Sequence, residues 1–340
     1  MKIKVNNQFL NFFDNLVINL SLDSFASSFS FVTRFNPDNN VHRALFKPLS
    51  FNRVQIYTND NKIVLNGFFV NHSFRSSSQP QLINISGYSK AGILEDVTIP
   101  IDQYPLEKNN VNLNEITDAL INPFGISKVV RQSASNDMSL NYEKAVASPS
   151  QSIKSFISDL ASQRNIIVSH NANGDLVFFK SLQTSKPKRA YNKSNVIGMD
   201  LNIRGQAIHS QISVIRQPSD DNSGVETVDT VFNGLVSKKR SFTSVLNSGL
   251  DTDTGKAANN VLASELTNIT LNINLHKIDN DLMPGDLISV ENKEIFLYKP
   301  SKFIIDSITI NEKSDSETMS LNCLLPEVLS GNNPVDVFNT

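Results

Sequence analysis

The chain has 340 residues, 39% of them hydrophobic, and its 31 basic residues nearly balance its 33 acidic residues. This length allows a sizeable core and more than one domain. The balanced charge excludes a protein held to nucleic acid or to an anionic membrane mainly by charge. The single cysteine excludes an intrachain disulfide. No apolar run approaches the roughly 20 residues that span a bilayer, and the N-terminus lacks the apolar core of a signal peptide, so we expect synthesis in a cytoplasm.

The first hundred residues predict β-strands. Ile18, Leu20 and Leu22 alternate with polar residues, which places every second side chain on one face of a sheet. Residues 54–57 and 63–65 flank a polar turn and predict a hairpin. After the strand that ends at Gly87, Ser89 is predicted to cap a short helix.

The middle of the chain changes period. A short helix is predicted over 114–122, closed by Pro123 and Gly125. The run 148–151, Ser-Pro-Ser-Gln, predicts the start of a second helix, because serine caps, proline suits the first turn and glutamine follows three residues later. A hairpin is predicted next, with its turn at 173–174, Asn-Gly.

The last part returns to strands. Residues 269–275 alternate cleanly between apolar and polar, and further strands are predicted at 199–203, 208–215, 287–290, 303–310 and 319–325. A helix is predicted after 255. The polar segment 181–195 is predicted to link domains.

Few residues suggest chemistry. The five histidines, none spaced with another His or a Cys as in a metal site, are His42, His72, His170, His209 and His276. Cys323 lies in a strand pattern that predicts a buried, inert thiol. Glu95 and Asp96 end the early helix and suit an outward face or an intersubunit contact. We therefore predict no catalytic, cofactor-binding or metal-binding residues and no cofactor.

Two pairs of loop acids are the only catalytic candidates. They are Asp220 with Asp221, and Asp251 with Asp253. Paired carboxylates serve glycoside hydrolysis or bind calcium, but neither pair lies in a motif that fixes its geometry. We favour the interpretation that these four acids are solvated loop residues.

Several segments resemble the Mu-like phage baseplate hub proteins, within the wider family of contractile-tail hubs related to type VI secretion spikes. The first is 63–70 (IVLNGFFV) followed by 83–96 (INISGYSKAGILED), where Tyr88 replaces a residue that is often arginine in the family. The others are 282–290 (LMPGDLISV) and the closing 324–327 (LLPE). These segments, the helix from Ser150 and its hairpin follow one another in an order that resembles the family. The resemblance covers most of residues 1–330.

The resemblance implies a mainly β fold with a small α/β part, built as two β-barrel domains joined by an α/β insertion. The expected domains are a first barrel at 1–105, completed in some hubs by strands near 197–216, an α/β domain at 106–185, a second barrel at 186–330 and a flexible tail at 331–340.

The function implied is that of a structural hub. Three copies form a ring with pseudo-sixfold symmetry, which joins the tail tube to the central spike in the virion baseplate, while DNA passes through the lumen without specific binding. With no room for a spike domain before residue 340, a separate spike protein is expected. The alternatives are a tail-associated cell-wall hydrolase, which would use the loop acids, and a receptor- or glycan-binding module, which the absence of Trp disfavours.

Overall fold

This computed structural model describes residues 1–22, 24–76, 82–180, 186–216, 227–245, 254–313 and 316–339. The chain forms two compact units. Unit 1 comprises Met1–Lys180, His276–Pro284 and Ser307–Ser320. Unit 2 comprises Ser181–Leu275, Gly285–Asp306 and Leu321–Thr340.

Unit 1 begins with a large antiparallel sheet. Its strands are β1 (Lys2–Val5), β2 (Gln8–Phe9), β3 (Asp14–Ser21), β4 (Ser28–Arg34), β5 (Arg53–Tyr57), β6 (Ile63–Phe74) and β7 (Leu82–Ser89). They pair in the order β3-β4-β7-β6-β5-β1-β2. Residues 307–312 of β20 (Leu297–Lys313) pair beside β3. Helix α1 (Asn40–Leu45) lies between β4 and β5.

A cluster of phenylalanines fills this sheet's core. Phe69 is 1% exposed, and its ring centroid lies 5.9 Å from that of Phe31, 6.2 Å from that of Phe29 and 6.3 Å from that of Phe46. The alternation that predicts the strands is seen directly, because buried residues in β1, β3 and β4 recur at every second position. Burial of these rings contributes to the stability of the sheet.

The small α/β part of unit 1 follows. Its helices are α2 (Ile93–Asp96), α3 (Leu113–Ile121), α4 (Gln132–Met138) and α5 (Ile153–Ser162). Its strands are β8 (Glu107–Asn112), β9 (Lys128–Val130), β10 (Asn141–Val146), β11 (Ile167–His170) and β12 (Leu176–Phe179). The Asn112 side chain and Glu115 form a capping box on α3, and Gly125 has a left-handed φ of 62° shortly after α3.

The predicted start of the second helix is wrong by four residues. Helix α5 is capped by Ser152, whose hydroxyl accepts from the Ser155 backbone N–H. The Gln151 side chain does accept from the Ser148 N–H, as in a capping box. The helix begins later because Ser152 forms an isolated antiparallel β-bridge with Thr98, and the Ile153 N–H donates to the Val97 carbonyl. Similarly, Ser89 caps nothing, and its hydroxyl accepts from the Ser27 N–H instead.

Unit 2 contains β13 (Arg189–Asn192), β14 (Gly198–Ile203), β15 (Gln211–Arg216), β16 (Thr227–Phe232), β17 (Ser241–Val245), β18 (Ile269–Leu275) and β19 (Leu287–Asn292), with helix α6 (Thr254–Leu266). Strand β14 pairs antiparallel with β18, and β13 pairs parallel with β19. Strand β15 is the centre of a three-stranded sheet, antiparallel to β16 and parallel to β17. Strand β21 (Ser316–Leu324), like β20, is divided between the two units.

The predicted class, mainly β with a small α/β part, is confirmed. Across the described strands the hydrogen-bonded pairings trace open paths and close no barrel, since β2 at the end of the unit 1 path pairs only with β1. The strands near 197–216, which the resemblance allows to complete the first barrel, lie in unit 2.

The C-terminal segment, predicted as a flexible tail, has specific contacts within unit 2. The Asn333 side chain accepts from the Gly234 N–H at 2.8 Å, and Val337 is buried. These contacts hold residues that have no regular secondary structure against the folded unit.

Candidate assembly surface

A groove of about 440 Å³ with a mixed polar and apolar lining lies in unit 1 between the edge segment 8–12 and helix α1. Leu10 N–H donates to the Ile3 carbonyl, which holds the edge segment on the sheet. The Thr33 hydroxyl donates to the Phe12 carbonyl at 2.7 Å and fixes the other end. The Asn39 side chain caps α1, so both walls of the groove are held by local hydrogen bonds.

Three of the side chains that line this groove are large, apolar and partly exposed to solvent. We define the groove rim as Phe9, Phe12 and Val41, which line the groove and are between 36% and 52% exposed. Single exposed apolar residues are ordinary, but several exposed apolar residues that line one groove are typical of a protein contact surface.

The loop 46–52, which follows α1 and carries the exposed side chains of Leu49 and Phe51, is held by hydrogen bonds at its end. The Asn52 amide donates to the carbonyls of Ala44, at 3.0 Å, and of Leu45, at 2.8 Å, at the end of α1. The Asn6 amide, in the turn between β1 and β2, donates to the Asn52 side chain at 2.7 Å. These hydrogen bonds fix Asn52 against the end of α1 and the turn between β1 and β2.

Two exposed residues of this loop adopt backbone conformations that their side chains disfavour. Leu49 has φ 61° and Phe51 has φ 48°, both in the left-handed region. Bulky residues there cost about 1–3 kcal/mol each, and glycine or asparagine would cost less. The strain coincides with exposed apolar side chains, which favours a role for those side chains in recognition.

Basic side chains lie against two exposed rings of the rim. The Arg34 guanidinium is 4.4 Å from the ring centroid of Phe12, and the Lys4 ammonium is 5.9 Å from that of Phe9. The segments 2–13 and 33–53 together carry six basic residues and one acidic residue. Sequence reasoning missed this concentration, because the basic residues occur singly along the chain and only pairing of β1 with β5 brings the segments together.

The α/β part is attached to the large sheet through its hairpin turn. The Asn66 amide on β6 donates to the Asn173 carbonyl at 2.9 Å. Gly174 has φ 77°, and a Cβ there would lie 2.6 Å from the Lys90 Cβ. The Lys90 ammonium is 3.8 Å from the Asp175 carboxylate. The turn that the Asn-Gly pair predicts is therefore also a docking element.

His170 forms a buried link between the same two parts. Its Nδ1 donates to the Ser24 carbonyl at 2.9 Å, so its Nε2 accepts from the Ser27 hydroxyl. This Ser–His pair resembles an activated nucleophile, but Ser27 is 2% and His170 6% exposed, which leaves no access for a substrate. The arrangement is structural.

Acid is expected to destabilise unit 1 through His170. Burial lowers the pKa of His170 from its ordinary value of 6.5, so below that pH the unfolded chain takes up a proton that the folded chain does not. The contribution of His170 to the free energy of unfolding is complete above about pH 6.5. It is lost as the pH falls, by at most about 1.4 kcal/mol per pH unit. Burial lowers the pKa of His72 as well, which adds a contribution of the same sign.

Urea unfolding between about pH 7.5 and pH 5 measures this slope. His170→Gln should make the slope shallower, whereas His276→Gln, at an exposed position, should not. Equal slopes for His170→Gln and wild type would contradict the assignment.

The other predicted residues are not brought together. His42 accepts from the Asn36 N–H, His72 lies between the rings of Phe69 and Phe74, and His209 contacts Glu265 at 2.7 Å. In the described ranges no group of three or more His, Cys, Asp or Glu side chains could hold a metal ion.

The remaining candidates are structural or lie outside the described residues. Glu95 and Asp96 are exposed, as predicted, but they contact Lys154 and Tyr88 of the same chain. Cys323 is buried, and burial raises the pKa of its thiol, as expected of an inert residue. The acids Asp220, Asp221, Asp251 and Asp253 lie outside the described residues. None of the helices in the described part of the chain is long and apolar enough to cross a membrane.

Comparison with known proteins confirms the resemblance predicted from the sequence motifs. Residues 91–180 match the family model of the second domain of gp44-like baseplate hub proteins. No curated protein sequence matches the chain.

Solved structures share the fold over nearly the whole chain. The 43 kDa tail protein of prophage MuSo2 from Shewanella oneidensis has a TM-score of 0.78 at 17% identity, covering 96% of this chain and 98% of that one. The tail protein of Neisseria meningitidis MC58 has a TM-score of 0.75 at 18% identity, covering 99% and 98%. The E. coli protein c3393, a component of the type VI secretion system with structural similarity to the T4 tail proteins gp27 and gp5, has a TM-score of 0.59 at 12% identity, covering 99% and 80%.

Proposed function

We propose that the chain is a structural subunit of a phage-type baseplate hub. The observation that carries the proposal is the match of residues 91–180 to a hub-protein domain within a fold shared end to end with two tail proteins. In this proposal the protein has no catalytic activity, needs no cofactor and is a component of the virion baseplate, made in the host cytoplasm.

The proposed assembly is a homotrimeric ring with pseudo-sixfold symmetry. The ring joins the tail tube to a separate central spike protein and surrounds a channel through which DNA passes. Two properties support this. The exposed groove rim offers apolar area of the kind that oligomer interfaces bury, and the net charge of -2 gives no strong attraction for DNA in transit.

We also propose a division into four parts: a first barrel at 1–105, an α/β domain at 106–185, a second barrel at 186–330 and a tail at 331–340. This division differs from that into the two compact units. The hydrophobic cluster of the α/β part includes Leu113, Ile157 and Phe178, and it extends to Phe25 and Leu94 of the first proposed domain.

Electron microscopy of assembled tails tests the function. Particles that carry a tagged version of this chain should show the label at the junction of tube and spike. Label on the fibres, on the tube shaft or absent from the particle would contradict the proposal. A peptidoglycan-clearing assay with purified protein should show no activity, and clearing that is lost in the alanine variant of the four loop acids would replace the hub by a hydrolase.

A further inference from the structure

Three Asn-Gly pairs occur in the sequence, at 66–67, 173–174 and 233–234. Deamidation of asparagine is easiest before glycine, because glycine has no side chain to hinder the approach of its backbone nitrogen to the preceding side-chain amide. The fold places the three asparagines in different surroundings. We propose that Asn173 is a spontaneous deamidation site, and that the reaction is slowed while the turn 171–175 is docked on β6.

The reaction needs only water as a second reactant. The Gly174 backbone nitrogen attacks Cγ of Asn173 and forms a C–N bond, while the side-chain nitrogen leaves as ammonia with the proton of the attacking N–H. Water then opens the resulting succinimide ring by breaking one of its two C–N bonds, which gives aspartate or isoaspartate. The isoaspartate product carries one extra methylene in its main chain.

The Asn173 side chain is free to react. It is exposed, and within the described ranges its amide group forms no hydrogen bond, because only the backbone of Asn173 is engaged. The attacking nitrogen is held by the turn alone, since the Gly174 N–H donates to the Asn171 carbonyl at 2.9 Å. Local opening of the turn is therefore enough to release this nitrogen for attack.

The other two asparagines are held by tertiary contacts. Asn66 and Asn233 are only 8% and 3% exposed. The Asn66 Oδ1 accepts from the Arg53 Nε at 3.0 Å, so its side chain cannot turn towards the following nitrogen. The Gly234 N–H, which would attack Asn233, donates instead to the Asn333 side chain at 2.8 Å. Reaction at these two positions requires a larger opening of the fold.

Contacts with β6 keep the turn closed. The Asn66 amide donates to the Asn173 carbonyl at 2.9 Å. A Cβ on Gly174 would lie 2.9 Å from the Asn66 carbonyl oxygen, which shows how closely the turn approaches the strand. Removing the Asn66 amide should raise the population of the open turn and the rate of deamidation together. In the isoaspartate product the extra methylene displaces the main-chain carbonyl from Asn66, so deamidation should loosen the attachment of the α/β part.

Peptide mapping by mass spectrometry of the full chain, incubated at mildly alkaline pH, measures the rate at each position. In the folded wild type we expect aspartate and isoaspartate to accumulate at 173 about tenfold or more faster than at 66 or 233. In the chain unfolded by urea, the three rates should agree within about threefold, because residual structure in an unfolded chain is small.

The variant Asn66→Ala tests the role of docking. It should deamidate at 173 about threefold or more faster than wild type, as expected for the loss of one hydrogen bond, with circular dichroism to check folding. Asn71→Ala is the matched control, because Asn71 is an exposed asparagine of the same strand that contacts Ser86 and not the turn. Its rate at 173 should equal that of wild type.

Lys90→Ala provides a second test of docking should Asn66→Ala not fold. It removes the ion pair with Asp175 at 3.8 Å and should also speed the reaction at 173. Folded wild type that reacts as fast at 66 or 233 as at 173, or not at all at 173, would overturn the site. Rates at 173 that are equal in wild type and in the folded docking variants would overturn the role of β6.

Discussion

Replacing Phe69 by alanine is expected to lower the free energy of unfolding by about 3–5 kcal/mol. Phe69 is 1% exposed, and its ring packs among those of Phe29, Phe31 and Phe46 in the core of the large sheet. Its removal leaves a cavity among these rings that the paired strands β4, β7 and β6 cannot close, so the loss includes both transfer and cavity contributions.

Chemical denaturation monitored by circular dichroism measures this loss. Phe74→Ala on the same strand is the matched control, because Phe74 is 44% exposed, and its cost should be less than half as large. Equal effects of the two substitutions would show that the core is not centred on Phe69.

Replacing Gly67 by alanine is expected to cost about 3 kcal/mol or more, at or above the upper end of the usual cost of overpacking. A Cβ at Gly67 would lie 1.9 Å from the Tyr88 carbonyl oxygen and 2.7 Å from the Ser89 Cα. Gly87 makes the reciprocal approach, since its Cβ would lie 2.0 Å from the Phe68 carbonyl oxygen. Backbone atoms on the paired strands β6 and β7 cannot move aside without breaking their hydrogen bonds.

The control for this substitution is Gly198→Ala, where a new Cβ meets nothing within 4 Å. It should be neutral or slightly stabilising, because alanine reduces the conformational entropy of the unfolded chain. A Gly67→Ala protein with wild-type stability would contradict the close packing of β6 on β7.

Local patterns predicted most of the secondary structure. The strand at 269–275 was predicted from strict alternation, because one of its faces is buried. The hairpin around 173–174 was predicted from its Asn-Gly turn. The start of α5 was misplaced because a long-range bridge from Thr98 to Ser152 decides where the helix begins, and no local signal records that contact.

The candidate assembly surface was not predicted from the sequence. Its walls come from segments about 30 residues apart, and Leu49 and Phe51 have no sequence signature of a left-handed backbone. The double role of the Asn-Gly turn was also hidden, because its partners Asn66 and Lys90 lie about 80 or more residues earlier. Properties that depend on contacts between distant segments can be predicted only when the fold is known.

The mass of the native assembly tests the threefold hub most directly. Native mass spectrometry at micromolar concentration, with the spike protein present and absent, should give a species of three times the 37.7 kDa of one chain. A species of one chain under both conditions would contradict the account.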